Sequence, residues 1–428
     1  MRVRALVTSI AVIAAAHAAS AQTSPPLTLS QAEQTAVQNH PQIHAAEFNA
    51  LAATQAIREA RAAYFPTVVA SFSGADAETG SRIAAGGLNN PIIYNRIAGG
   101  FSFGQLLTDF GRTRSLVESS SFNAQAQEQS VTGQRASVLL DVDRAYFGTL
   151  RAQAVQRVAQ ATVDARQLVF DQVNALAQGN LRSGLDVSFA RVNLSTAQLL
   201  LVQAQADTDN AFAVLAAALG VESAPSRELV EEALPPAPPG NSGSLVADAF
   251  RQRPELVAAR LSAESATSFA SAESGLARPS ITVSGAIGML PYYQPGINDH
   301  YAAVGVNVNV PLLNGNLFQA RAAEAFARAQ AQDQRVRDLE NRIRRDVQTA
   351  WLNARTAFQR IDLTTQLLDQ ARQALDLAQA RYNLGLSSIV ELNQAQLAET
   401  QAQFDAASAR YDYQVQVATL GFATGARK

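Results

Sequence analysis

Residues 316–384 read NLFQARAAEAFARAQAQDQRVRDLENRIRRDVQTAWLNARTAFQRIDLTTQLLDQARQALDLAQARYNL, a tract of 69 residues without proline or glycine. At 1.5 Å per residue an uninterrupted helix of that length reaches about 100 Å, far more than a globular domain needs. Val336, Ile343, Ala350, Ala357, Thr364, Ala371 and Ala378 recur along it every seven residues, and so do Val347, Ala354, Ile361, Leu368, Leu375 and Tyr382. This is coiled-coil periodicity, and its small side chains let helices approach closely. Trp351, Phe358 and Leu339 lie off the seam, so neighbours are expected on more than one side. Periodicity alone fits a solid soluble bundle equally well.

Working outward, the chain returns after Gly385 through residues 386–420, about half the length of the long tract. Something else must cover the other half. The segments 29–64 and 245–277 have the right length, each read as one leading helix stacked end to end on a returning one. Two stretches, 92–224 and 312–428, hold no proline, as two long helical regions would. Asn39-His40-Pro41-Gln42-Ile43 aligns with Gln252-Arg253-Pro254-Glu255-Leu256, and Pro66-Thr67-Val68 with Pro279-Ser280-Ile281. Further on, Asp141-Val142-Asp143-Arg144-Ala145-Tyr146 aligns with Asp346-Val347-Gln348-Thr349-Ala350-Trp351, and Leu185-Asp186-Val187 with Val390-Glu391-Leu392. The expected organisation is a first structural repeat over 22–220, a linker over 221–244 and a second repeat over 245–428. Within the linker, Leu234-Pro235-Pro236-Ala237-Pro238-Pro239-Gly240 is stiff and extended.

Of the 428 residues 47% are hydrophobic, but 83 are alanine, which favours helix and fills little volume. Charged residues make up only 16%, against roughly 25% in a typical soluble protein. A net charge of −2 gives no reason to expect nucleic acid. The only lysine is Lys428 and there is no cysteine, which excludes Walker-type phosphate loops, cysteine-ligated metals and thiol catalysis. Residues 1–21 read as a secretory signal peptide: Arg2 and Arg4, an apolar stretch over 5–16, then the small-residue site Ala19-Ser20-Ala21. No later run reaches the roughly 18 apolar residues of a membrane helix. An exported chain of this kind is periplasmic, secreted, or held in an outer membrane as a β-barrel.

Val304, Val306, Val308, Val310 and Leu312 alternate with Gly305, Asn307, Asn309 and Pro311. Ile97, Phe101 and Phe103 alternate in the same way with Ala98, Gly100, Ser102 and Gly104, a period of two that marks strands. Their hairpin partners are 67–74 and 280–287, joined through loops around Gly86-Gly87-Leu88-Asn89-Asn90-Pro91 and Pro291-Tyr292-Tyr293-Gln294-Pro295-Gly296. Lengths near ten residues suit a tilted membrane strand. Four strands cannot close a barrel, whereas three chains would supply twelve. The other reading is a small soluble sheet capping a helical rod.

The two-copy order, the turn Tyr382-Asn383-Leu384-Gly385-Leu386-Ser387-Ser388-Ile389-Val390-Glu391-Leu392, its counterpart Gly179-Asn180-Leu181-Arg182-Ser183-Gly184-Leu185-Asp186-Val187 and the closing Ala409-Arg410-Tyr411-Asp412-Tyr413 together resemble the TolC family of bacterial outer-membrane efflux proteins. The resemblance covers essentially everything after the signal peptide. It implies a mainly α fold with membrane β: a long coiled-coil helical barrel across the periplasm and, from a homotrimer, a 12-stranded β-barrel in outer-membrane lipid. It also implies a passive exit duct, without catalysis or cofactor, for a tripartite efflux or type I secretion system. A periplasmic adaptor and an inner-membrane pump would open its helical tip. By the same resemblance Asn180, Leu181, Arg182 and Ser183, with Leu384, Gly385, Leu386 and Ser387, are the adaptor-contacting tips. Glu391 narrows the channel entrance, Gln394 stands where some members have a second acid, and Asp186 and Tyr382 form a hydrogen-bonded pair that holds the tip closed. Three copies of Glu391 would make a carboxylate ring that favours cations. Gly385 holds the family's glycine position, but Asn180 takes it in the first copy, with Gly179 one step early, so the first tip is expected to differ in shape.

Gly100-Phe101-Ser102-Phe103-Gly104 fits G-x-S-x-G, yet it lies in an alternating segment and not at a strand-to-helix turn, so it reads as strand. His40 and His44, four apart, could ligate a metal, but the intervening Pro41 and the counterparts Arg253 and Val257 favour a structural role. No metal site is expected. No convergent acid, base and nucleophile is present. One reading from another class competes with the duct: a periplasmic coiled-coil structural or adaptor protein without a membrane barrel.

Overall fold

The computed structural model describes residues 26–76, 96–291 and 298–427; the signal-peptide reading and most of both hairpin loops lie outside them. The elements are α1 (Leu29–Asn39), α2 (Pro41–Ala62), β1 (Thr67–Ala75), β2 (Arg96–Thr108), α3 (Arg112–Gln178) and α4 (Gly184–Leu219). They are followed by α5 (Gly243–Gln252), α6 (Pro254–Ser274), β3 (Ser280–Met289), β4 (His300–Asn309), α7 (Leu317–Asn383) and α8 (Ile389–Thr424). The second six repeat the order of the first six.

Helices α3 and α7 have 67 residues each, about 100 Å, whereas α4 and α8 have 36 each. Helices α2 and α6 lie along the first half of α3, where Gln134 bonds Gln42 and Ser119 bonds Ser265. Helices α4 and α8 lie along the second half. Each leading segment, expected as one helix, is broken in two. Proline lacks an N–H and clashes with the preceding turn, and the residues before Pro41 and Pro254 are extended, His40 with ψ 119° and Arg253 with ψ 117°. The imidazole of His40 accepts from the Gln42 N–H at 3.3 Å and caps α2. His44 lies 3.0 Å from the Gln38 carbonyl and 3.2 Å from Glu47.

The breaks receive the returning helices. Gly220 ends α4 at φ 70°, and a Cβ there would stand 2.9 Å from His40 Cα; Gly425 ends α8 at φ 74°, and a Cβ there would stand 2.9 Å from Arg253 N. Glycine alone meets both demands, the left-handed turn and the backbone contact. Bulky side chains gather at these two junctions: Ile43, Val142, Tyr146, Leu215 and Leu219 at one, Leu256, Ile343, Val347 and Trp351 at the other. Further along α7, Thr364, Ala371 and Ala378 are buried and Ile361, Leu368 and Leu375 half-buried, which places both heptad series in the packing. Trp351 and Phe358 have partners of their own, a linker carbonyl and the Tyr413 ring 5.2 Å away.

Over residues 231–239 the linker is held as a hydrogen-bond acceptor. Its prolines offer carbonyls but no N–H, and the helices supply the donors. Tyr413 donates to Pro236 O at 2.5 Å, Trp351 Nε1 to Pro239 O at 2.7 Å, and Arg410 and Gln414 to Glu232 O at 3.0 and 3.2 Å. The Tyr146 hydroxyl reaches Val230 O at 2.7 Å and Leu27 O at 2.8 Å.

The four strands form one antiparallel sheet in the order β1-β2-β3-β4, so β2 and β3 join the two hairpins. Strand β4 ends at Asn309, leaving Val310 and Leu312 beyond it, and Gly100 to Gly104 sits inside β2, paired on both sides. Paired residues share a face. One face collects Val68, Phe72, Phe101, Phe103, Ile281, Val283, Ile287, Val304, Val306 and Val308; the other collects Thr67, Ser71, Ser73, Ser102, Thr282, Ser284, Asn307 and Asn309. The outer edges of β1 and β4 have no partner strand among the described residues.

One buried charge lies at the first junction. Asp143 of α3 is fully buried, paired with Arg427, which also bonds Glu33 of α1 at 2.8 Å. Burial pushes the Asp143 carboxyl up to about 7; Arg427 opposes this and Glu33 reinforces it. The folded chain therefore holds a proton that the unfolded chain releases near pH 4. Stability contributed by this group falls as pH rises from about 4 to 7. Asp143→Asn should flatten that slope in thermal melts of the purified protein between pH 4 and 8.

Candidate channel entrance at the helical tips

The tips are the two turns that join α3 to α4 and α7 to α8. Both long helices end in the same way. Asn180 (φ 57°) and Gly385 (φ 73°) are left-handed, Leu181 N–H bonds Leu176 O at 2.9 Å, and Leu386 N–H bonds Arg381 O at 2.8 Å. These are paired Schellman endings. The expected difference in shape is absent, because asparagine tolerates the left-handed region that glycine occupies in the second copy. Gly179 is an ordinary helix end at φ −83°. Each turn then starts its next helix on a serine: Ser183 accepts from Asp186 N–H at 3.2 Å and Ser388 from Glu391 N–H at 3.5 Å. Asp186 and Glu391 thus hold equivalent places, where a carboxylate also suits the helix N-terminus. Leu181, Leu384 and Leu386 are exposed at the very ends.

Side chains distinguish the two copies. Tyr382 is buried with Val173, Ala190, Ile389 and Leu392, and its hydroxyl has no hydrogen-bond partner among the described residues. Burial raises its pKa, the Asp186 charge adds to the rise and Arg182 opposes it. No hydrogen bond joins Asp186 to Tyr382 in the single chain; the carboxylate accepts from Ser183 N–H at 3.2 Å and closes a capping box. Arg182 stands between the two tips, 4.1 Å from the Tyr382 ring centroid, and donates to the Tyr382 carbonyl at 2.7 Å. Glu391 lies 3.3 Å from Arg381, both about half exposed, a pairing worth about 1 kcal/mol or less. Gln394 is exposed one turn further along α8.

Behind the tip a polar layer links the hairpins. Buried Arg166 donates to Gln396 O and to Thr400 Oγ1, each at 3.0 Å, and Asn193 donates to Asn393 at 2.6 Å. With Thr162 and Thr196 these groups line a cavity of about 280 Å³. Sequence reading missed Arg381, the Arg166 layer and the contact of Arg182, because their partners are set by tertiary packing and not by local spacing.

A sheet with one mostly apolar and one mostly polar face, set at the far end of helices about 100 Å long, is the arrangement expected of a duct anchored in a membrane. Comparison with known proteins agrees. The family model described as outer membrane efflux protein matches residues 32–221 and 245–426, and the chain belongs to that family. It is 24% identical over 416 residues to outer membrane protein TolC of Salmonella enteritidis, covering 93% of this chain and 83% of the relative. It is 25% identical over 387 residues to the toluene efflux pump outer membrane protein TtgC of Pseudomonas putida, covering 86% and 76%. The solved outer membrane protein VceC of Vibrio cholerae has the same fold, with a TM-score of 0.80 at 21% identity over 93% of this chain and 96% of that one. The protein is an outer-membrane efflux channel, and the reading without a membrane barrel is set aside.

The left-handed position in the first tip gives a direct test. Asn180→Gly should leave stability unchanged or slightly raised, whereas Asn180→Val should cost roughly 1–2 kcal/mol. Faster amide exchange at Leu181, whose N–H closes the turn, is the expected readout for the valine variant.

Proposed function

We propose that three copies of this chain, each freed of residues 1–21 by signal peptidase, assemble into the exit duct of a tripartite efflux or type I secretion system. The observation that carries this reading is the sheet with two open edges. In hydrocarbon each unpaired N–H and C=O costs several kcal/mol, so β1 and β4 must pair with neighbouring copies, and twelve strands close the barrel. Leu185, Val192 and Leu199 support it, an exposed stripe at heptad spacing on α4 that a neighbouring helix would cover. The two turns centred on Asn180–Ser183 and Leu384–Ser387 dock the periplasmic adaptor, and the tips, with Asp186 and Tyr382 at their contact, form a gate opened by adaptor and inner-membrane pump. Threefold symmetry gathers Glu391 into a carboxylate ring at the entrance, with Gln394 leaving a second, uncharged ring. The duct catalyses no reaction, and the pump selects the cargo.

Two measurements test this. The protein should be recovered from outer-membrane fractions only with detergent, as a heat-modifiable trimer; a soluble periplasmic species would contradict the duct. In planar bilayers under a salt gradient, Glu391→Ala should shift the reversal potential toward lower cation preference, and an unaltered potential would remove Glu391 from the constriction.

A further inference from the structure

Each protomer presents two tips, and one side chain joins them. Arg182 leaves the first turn and reaches the last turn of α7, where it stacks 4.1 Å from the centre of the Tyr382 ring and donates through Nη2 to the Tyr382 carbonyl at 2.7 Å. The ring is fixed by burial among Ile389 and Leu392, so the cation meets a rigid, largely dry face. The carbonyl belongs to the end of a 67-residue helix, where C=O groups lack helical partners and the helix dipole favours a positive charge. It already accepts from Gly385 N–H at 3.0 Å, and Arg182 takes its other lone pair. A planar guanidinium can stack and donate together, which an ammonium cannot do as well. The Asp186 carboxylate, meanwhile, is held by Ser183 N–H, and the Tyr382 hydroxyl has no partner among the described residues.

We propose that Arg182 is the positioning residue that holds the first tip against the second within each protomer, and that release of this contact lets the entrance widen. The proposal rests on the reading of the tips as a gate. It assigns the closing contact to the ring face and backbone carbonyl of Tyr382 rather than to a bond between its hydroxyl and Asp186.

Single-channel recordings of the assembled trimer separate these possibilities. Arg182→Ala should raise the ratio of open to closed current levels about tenfold or more, the size expected from losing a hydrogen bond with a charged donor, and Tyr382→Leu, which removes the ring but leaves the carbonyl, should raise it less. The double variant should add nothing beyond Arg182→Ala, since ring and carbonyl both act through the one guanidinium. Arg182→Lys should restore closure in part. Tyr382→Phe and Asp186→Asn, in which ring, carbonyl and helix cap all survive, should change the ratio far less than Arg182→Ala. Heat-modifiable trimers on gels establish that each variant assembles, and Arg182→Gln replaces any that does not. If Asp186→Asn or Tyr382→Phe opens the channel while Arg182→Ala does not, the proposal is overturned and the gate reading stands. If no variant alters conductance, even Arg182→Ala combined with Tyr382→Leu and Asp186→Asn, the tips are not the gate and both fall.

Discussion

A helix of 67 residues beside a return of 36 leaves half of its length uncovered, and this mismatch governs the rest of the fold. The uncovered half requires a second helix, which must meet the first end to end. Two helix ends can abut only where the chain changes direction without side chains in the way. Gly220 and Gly425 supply that on one side, and the breaks before Pro41 and Pro254 on the other. The junctions then attract the bulky residues, so an alanine-rich chain has its apolar cores at two belts and a tip instead of along the whole rod.

What joins these parts is mostly a donor side chain aimed at a backbone carbonyl. The proline-rich linker, the end of α7 and the α8 turn at Gln396 all present carbonyls whose usual N–H partners are missing or already shared. Tyrosine, tryptophan and arginine complete them. Lys428 apart, every lysine-or-arginine position is an arginine, and the structure uses that planarity and multiple donation at Arg166, Arg182 and Arg410.

Much of this was legible in the sequence. The proline- and glycine-free tract defined α7 to within a residue at each end, and the alternation of Val304, Val306 and Val308 defined a face of the sheet. The breaks at His40 and Arg253 are not legible as such although Pro41 and Pro254 are in view, because a proline can also kink a helix that continues past it. Asn180 suggested a different turn because residue identity was weighed above the backbone region that asparagine and glycine share. The Arg182 contact was illegible, since nothing local to Leu181 or Ser183 points to a carbonyl 200 residues away.

The open edges of the sheet have a genetic consequence. If each barrel is closed by three chains, an altered β1 or β4 edge disables every assembly it enters, and a cell making intact and altered chains in equal amounts builds mostly mixed assemblies. Edge defects should therefore behave as dominant alleles. A chain that fails to fold at all never enters an assembly, and its defect should be recessive.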